Sequence, residues 1–538
     1  MKFLGTSFRL HNKRLILFIA FVFAALLFVA CGGGADTPAE PEQSNEGSSE
    51  TEADTSETAE VTGQKGTLRV AMQPIVNIDP IAISSDSEVL VANHVYDYLI
   101  DIDPQSNIIP RLATEYSVTN EGLTYTFTLA EGVKWHDGSD FTAQDVVWTF
   151  ERLRDTPETP TADLYANIES IEATSDNEVV FTLAGKNAFF LYDLSDNHAL
   201  ILKAGTEDAD TNFNGTGPFK VENYSPEDRI QLVANPDYFI EGQPKLAGVD
   251  VIFFNDDAAA IDALRGGQID LAMRMSTALF ETLQAEPGIN TLDIPTNGYD
   301  VIRLRSDREP GNDPRVMQAL KLATDREAIF NVVQGGYGAI GNDTPIGPLY
   351  DAYYNAEVTP PARDVEQAKA LLADAGYAEG LELTLHTPDS GGRPDLAAVL
   401  KEQWAEAGVD VEISVEPESV YYGDDGWLEV DLGITGWGSR PYPQFYLDTS
   451  LVTDAKWNES HFSDAEFDEL AAITGTTVDD SERVKAYHQI QTILNERGPI
   501  IVPYFFAQFG AISDQFDNFE LKAFAGRTDF RDVEYTGE

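Results

Sequence analysis

Gly132-Val133-Lys134-Trp135-His136-Asp137-Gly138-Ser139-Asp140-Phe141-Thr142, running on through Asp145 to Val147, decides the fold of this chain. Val133 and Trp135 are apolar residues at alternate positions, the spacing of a strand with one buried face. His136-Asp137-Gly138 reads as a turn, with His136 a structural hydrogen-bonder. Thr142 followed three residues later by Asp145 has the form of a capping box, so a helix is expected from there to about Arg154. Upstream, Tyr125, Phe127 and Leu129 alternate and Glu131-Gly132 turns the chain, so residues 125–135 are expected to form a hairpin.

Working outward, Leu68, Val70 and Met72 predict a first strand, and Val89, Leu90, Val95 and Leu99 have roughly helical spacing. Strands are expected at Val179–Leu183, Ile230–Val233, Val249–Phe254 and Ile269–Ala272, with a short helix at Ala258–Leu264 closed by Gly266-Gly267. From Arg303 the pattern becomes α/β. Helices are expected over Asp313–Gln334, Asp364–Ala375, Asp395–Ala407, Asp464–Leu470 and Ser481–Arg497, and strands over Leu381–His386, Val409–Val415 and Asp431–Thr435. Single cores stop growing near ~250–300 residues, so this 538-residue chain needs at least two lobes. There is no internal repeat of fixed period.

Catalytic and cofactor patterns are missing. Gly336-x-Gly338-x-x-Gly341 matches a dinucleotide fingerprint, but a helical pattern precedes it and Asn342-Asp343-Thr344-Pro345 follows, where a strand and then a helix are required. No GxSxG, HExxH or Walker A pattern occurs, and the seven histidines stand apart from one another. No cofactor, no metal site and no enzymatic activity are expected. A net charge of −56, from 91 acidic and 35 basic residues, makes nucleic acid an unsuitable partner, since phosphate binding needs clustered cations. A solvated acidic surface is the plain reading of that charge, with adaptation to salt as one cause of it.

The opening of the chain reads as an export signal. Lys2, Arg9, Lys13 and Arg14 precede an apolar run from Leu15 to Ala30, short of the ~20 residues a spanning helix needs, and Cys31 follows small Ala30. Cys31 is the only cysteine, so neither an intramolecular disulfide nor a zinc-thiolate site is available to it. Residues 1–30 are thus expected to be a signal peptide and Cys31 a lipidation site. Residues 31–65, rich in Gly, Ser, Thr, Glu, Asp and Pro, are expected to be a flexible acidic leash.

Taken together, the Gly132–Val147 stretch is very similar to the signature of the extracellular solute-binding proteins of family 5, which serve dipeptide, oligopeptide and nickel ABC importers. Other blocks agree in order: Asn77-Ile78-Asp79-Pro80, Gly217-Pro218-Phe219 with Asn235-Pro236-Asp237-Tyr238, Gly266-Gly267-Gln268-Ile269-Asp270, Asp313-Pro314-Arg315-Val316 through Asp325-Arg326, and Ala368–Gly376. The resemblance implies a two-lobed α/β fold like that of periplasmic binding proteins, type II and cluster C-like, with a two-strand hinge and a ligand cleft between lobes. It places lobe I at about 66–300, with an extra subdomain at about 111–214, lobe II at 301–505, and a return to lobe I at 506–538. The crossings fall near Tyr299–Leu304 and Tyr504–Gln508. The implied partners are a peptide or small-molecule ligand, an ABC permease with its ATPase, and the membrane through lipid at Cys31. The expected state is a monomer outside the cytoplasm, at the periplasmic face or cell surface.

In peptide-binding members of the family a Trp is followed three residues later by an Asp that pairs with the ligand's ammonium. Aligned on Trp437-Gly438-Ser439-Arg440-Pro441-Tyr442, that pattern puts Arg440 where the acid belongs. An Arg there repels an ammonium and offers a planar fork to a carboxylate or phosphate. The alternative is a slip of register, with Arg440 pairing a surface acid. Trp437 and Tyr442 either stack on ligand or belong to the core, and Gly436 and Gly438 would let backbone approach it. Asn297, Gly298 and Tyr299 are expected to edge the cleft, and Asp79 to approach it from lobe I. Three classes of function compete: a transport receptor, a receptor that signals or chaperones, and a secreted enzyme. The anchor and the family blocks favour the first. The absence of histidine clusters disfavours the nickel subclass.

Overall fold

A computed structural model describes residues 64–537 except 424, 425 and 525. The expected signal peptide, Cys31 and nearly all of the leash lie outside the described residues. Among those described, no helix is long and apolar enough to cross a membrane.

One twelve-stranded sheet organises the chain. Its main strands, in chain order, are β1 (Thr67–Met72), β2 (Phe219–Ser225), β3 (Arg229–Ala234), β4 (Gly248–Phe253), β5 (Leu271–Ala272), β6 (Ile289–Leu304), β7 (Leu381–Pro388), β8 (Val409–Glu416), β9 (Leu432–Trp437) and β10 (Tyr504–Ser513). Across the sheet they run β8-β7-β9-β6-β10-β5-β1-β4-β3-β2. The two ends of this order meet at β6, a 16-residue strand that changes partner along its length. Residues 289–295 pair antiparallel with β10, whereas 299–304 pair antiparallel with β9. The register shifts between Pro295 and Tyr299, and Pro295 has no N–H to continue a ladder. Thr296, Asn297 and Gly298 therefore sit where β6 passes from one half of the sheet to the other.

The opening signature folds largely as its residues dictate. Thr142 and Asp145 form the capping box: the Thr142 N–H donates to Asp145 Oδ2 at 2.8 Å, and the helix Ala143–Asp155 buries Val146, Phe150 and Leu153. His136 Nε2 lies 3.0 Å from the Gly217 carbonyl, and the His136 N–H donates to the Gly215 carbonyl at 2.8 Å. Gly215 itself abuts the last turn of the helix Asp86–Val95, where a Cβ would collide with the Val95 carbonyl.

Three local expectations are corrected. Residues 124–129 do not pair with 133–135; they lie in a separate four-stranded sheet between Ala113–Thr119 and Glu178–Leu183, and only an isolated bridge, Lys134 to Asp140, forms downstream. The helix expected over 313–334 is two helices, Pro314–Ala323 and Arg326–Val333. Thr324 and Asp325 break it: Thr324 Oγ1 receives the Trp404 indole N–H at 2.9 Å, and the Asp325 side chain caps the second helix through the Ala328 N–H at 2.9 Å. The strand at 269–272 is reduced to β5.

Buried side chains form one large core around β1 to β5, a smaller cluster beside it, and a core of β6 to β9 with their helices. A further, aromatic core gathers Tyr299, Tyr350, Trp437, Tyr446 and Tyr487, and Phe189 from the first half of the chain joins it.

Candidate functional site

The loop that follows β9 is pinned by its backbone. Tyr446 Oη donates to the Gly438 carbonyl at 2.7 Å, Tyr350 Oη to the Arg440 carbonyl at 2.7 Å, and the Asn297 N–H to Ser439 Oγ at 3.0 Å. With the main chain held, the free element is the Arg440 side chain. It is exposed, its guanidinium lies 4.7 Å over the Phe445 ring, and its one hydrogen bond goes from Nη1 to the adjacent Ser439 carbonyl at 3.2 Å. Among the described residues Arg440 makes no ion pair, so Nε and Nη2 keep their donor capacity.

Trp437 and Tyr442 are both integrated into the fold. Trp437 is 8 % exposed and donates its indole N–H to Glu459 Oε1 at 3.2 Å. Tyr442 stacks on Phe189 at 4.8 Å and donates to Asp193 Oδ1 at 2.9 Å, joining the 187–193 segment to the loop after β9. Tyr299 is buried edge-on to Tyr446 and Phe505. Asp79 is taken up by Arg152, whose Nη1 reaches Oδ1 at 2.9 Å while Nη2 holds the other oxygen.

Asn297 stands apart from these. It is fully buried, and neither Oδ1 nor Nδ2 has a hydrogen-bond partner among the described residues, although its own N–H donates to Ser439 Oγ. Each unpaired buried group of this kind costs about 1–3 kcal/mol, a cost that a polar solute placed against it relieves.

Sequence reasoning missed several supporting residues. Asp300 on β6 is buried, accepts from Arg393 Nε at 2.7 Å and from Tyr504 Oη at 2.7 Å, and so ties the partner-changing strand to β10 and to the helix Arg393–Ala405. Burial pushes the Asp300 carboxyl up, opposed by the Arg393 charge. Glu459 and its buried partner Arg303 brace β6 and β9. Asp193 was also missed: burial lifts its carboxyl to about 7 against the hydrogen bonds from Tyr442 and Asn187. Gly338, part of the dinucleotide-like match, has φ +99° and lies where a Cβ would meet the Phe505 carbonyl, so it lets the 339–340 strand approach β10.

A mixed sheet whose strand β6 serves both halves is the frame of a two-lobed α/β fold. The pattern of the bacterial extracellular solute-binding proteins, family 5, middle region, matches residues 107–458, and the chain belongs to this family. It is 27 % identical over 516 residues to heme-binding protein A of Haemophilus influenzae, covering 89 % of this chain and 91 % of that one. It is 28 % identical over 431 residues to di/tripeptide-binding protein 1 of Pseudomonas aeruginosa, covering 73 % and 80 %. The solved structure of the oligopeptide-binding protein AppA of Bacillus subtilis, in complex with a nonapeptide, superposes with a TM-score of 0.71 at 26 % identity, over 88 % of this chain and 99 % of that one. The chain is therefore an extracytoplasmic binding protein and not an enzyme.

Proposed function

We propose that this protein is the capture subunit of an ABC importer, taking a peptide or similar small organic solute from outside the cytoplasm and delivering it to a permease. The name of the di/tripeptide-binding relative supports peptide-like solutes, and another relative is named for binding heme. Lobe I comprises about 66–300 and 506–538, lobe II about 301–505, and β6 and β10 supply the two crossings. Dihedral change at the crossings closes the lobes, and the ligand's greater affinity for the closed form drives the shift. Cys31 carries the lipid that keeps the receptor at the membrane, and more than one acyl chain makes such an anchor stable.

The single observation that carries the ligand class is the unpaired Arg440 fork on its pinned loop. An anionic group on the solute meets it there. Mass spectrometry of small molecules released from the denatured protein after native purification tests this. An anionic compound is expected from the wild-type chain and is expected to disappear in Arg440→Asp. Ordinary free-amine peptides retained equally by both proteins would return the chain to the plain oligopeptide receptors.

A further inference from the structure

Phe189 and Phe190 are neighbours in the chain, yet they belong to opposite halves of the fold. Both are 2 % exposed. Phe190 packs on Tyr125 at 4.8 Å and on Phe181 at 5.7 Å, two residues of the four-stranded sheet that this segment leaves. Phe189 enters the aromatic core of the second half instead. Its ring stacks on Tyr442 at 4.8 Å and 13°, meets Tyr353 edge-on at 6.4 Å, and carries the Arg483 guanidinium 5.6 Å away over its face.

Polar bonds fasten the segment on both sides. Toward the first half, Tyr125 Oη donates to the Asn187 carbonyl at 3.3 Å, Tyr165 Oη to the Asp193 carbonyl at 2.8 Å, and Tyr192 Oη to the Ser106 carbonyl at 3.0 Å. Toward the second half, the Ala188 N–H donates to the Gly475 carbonyl at 2.9 Å and Tyr442 Oη to Asp193 Oδ1 at 2.9 Å. Asn187 Nδ2 holds the other Asp193 oxygen at 2.7 Å, so the segment itself fixes the carboxylate that Tyr442 meets. Gly122, with φ +91°, adds a second crossing, since a Cβ there would come within 2.9 Å of Val478 Cγ1. All of these contacts are made by the chain alone. When the halves part, Phe189 leaves an apolar core and Asp193 loses its bond from Tyr442, so opening has a cost that the protein sets by itself.

We propose that residues 187–193 form a latch that biases this receptor toward its closed form before a solute binds, and that solute entry requires its release. This rests on the two-lobe reading above and not on the charge of the ligand. The latch raises the population of the form that the solute stabilises and makes the form that admits it rarer. Tyr442 lies two residues beyond Arg440, so the latch ends on the loop that carries the candidate site.

The Ala188 N–H reports the latch directly, because its acceptor belongs to the other half. Hydrogen exchange is read residue by residue on the full-length chain, freed of bound molecules by unfolding and refolding. In the wild-type protein the Ala188 amide is expected to be protected. Tyr442→Phe keeps the stack and removes the bond to Asp193, and it is expected to speed exchange at Ala188 about tenfold. Phe189→Ala should speed it further. Strand 124–129 is expected to exchange equally slowly in all three proteins, and small-angle scattering should show both variants more expanded than wild type. An unprotected Ala188 amide in the wild-type chain overturns the latch, and so does faster exchange of strand 124–129 in step with Ala188, which is the mark of a merely structural role. Protection that neither substitution changes, in a chain whose scattering includes an open form, overturns the latch alone. The same protection with a single compact form in all three proteins means that the halves do not part, and the two-lobe reading falls with the latch.

Discussion

Arg303→Met is expected to destabilise the protein by about 3–5 kcal/mol and to abolish retention of ligand. The Arg303 side chain is 0 % exposed and its partner Glu459 is 4 % exposed, so water cannot take over from either. Arg303 Nε donates to Glu459 Oε2 at 3.1 Å, Nη1 to the Val430 carbonyl at 3.2 Å, and Nη2 to the Trp427 carbonyl. Removing the guanidinium leaves two carbonyls and a carboxylate in the interior. Burial already pushes the Glu459 carboxyl up, with Arg303 as the leading opposing charge, so without Arg303 it is pushed up further and its charge stands unpaired. The effect then reaches the site. Glu459 accepts from the Trp437 indole N–H at 3.2 Å and from Thr435 Oγ1 at 2.6 Å, both on β9, so a Glu459 carboxylate left without its partner loosens that strand. The double variant Arg303→Met/Glu459→Gln removes both charges while keeping an acceptor for Trp437, and should recover part of the loss. Urea denaturation and native mass spectrometry measure the two effects, and a loss below ~1 kcal/mol in Arg303→Met would show that the pair is not a brace.

How much of this was legible in the sequence depended on whether the information was local. The capping box at Thr142 and Asp145, strand β7 from Leu381 and the helix ending at Arg497 could be read because periodicity and caps act within a few residues. Ala113–Thr119 left no such trace: after Ala113 every residue is exposed, so no alternation marks it, and its partner strand was assigned to residues 133–135 instead. The break at Thr324 was hidden because residues 315–334 contain neither glycine nor proline, although Asp325 three residues before Ala328 carried a cap signal. In the candidate site, Arg440 was visible through its place after Trp437. Asp193 and Glu459 were not, since nothing in sequence connects Asp193 with Tyr442, 249 residues away, or Glu459 with Arg303, 156 away. In so acidic a chain a carboxylate becomes informative only when its partners are known.

His94 gives the protein a steep acid dependence that a single variant isolates. Its Nδ1 lies 2.7 Å from the Leu90 carbonyl, which can only accept, and its Nε2 lies 3.0 Å from the Phe530 N–H, which can only donate. The ring must therefore be neutral, with its proton on Nδ1, and a second proton would break the bond that fastens the C-terminal segment, where Phe530 stacks on the imidazole at 4.6 Å. Burial lowers His94 to about 4; the Asp529 charge opposes this, and Arg531 and Lys522 add to it. In the unfolded chain the imidazole binds its proton near pH 6.5, so between pH 6.5 and about 4 the unfolded state holds a proton that the folded state refuses, and stability falls as pH falls. Above that window both states are neutral and His94 contributes no slope; below it both are charged and the loss is complete. The loss attributable to this residue is about 3 kcal/mol. His94→Asn keeps a donor for Leu90 but cannot titrate, and it leaves the Phe530 N–H unpaired. It should be less stable than wild type at pH 7.5, yet its stability should decline less steeply toward pH 4.5. Parallel urea midpoints for the two proteins across that range would mean that the imidazole takes its proton without leaving the fold, against the geometry at Phe530.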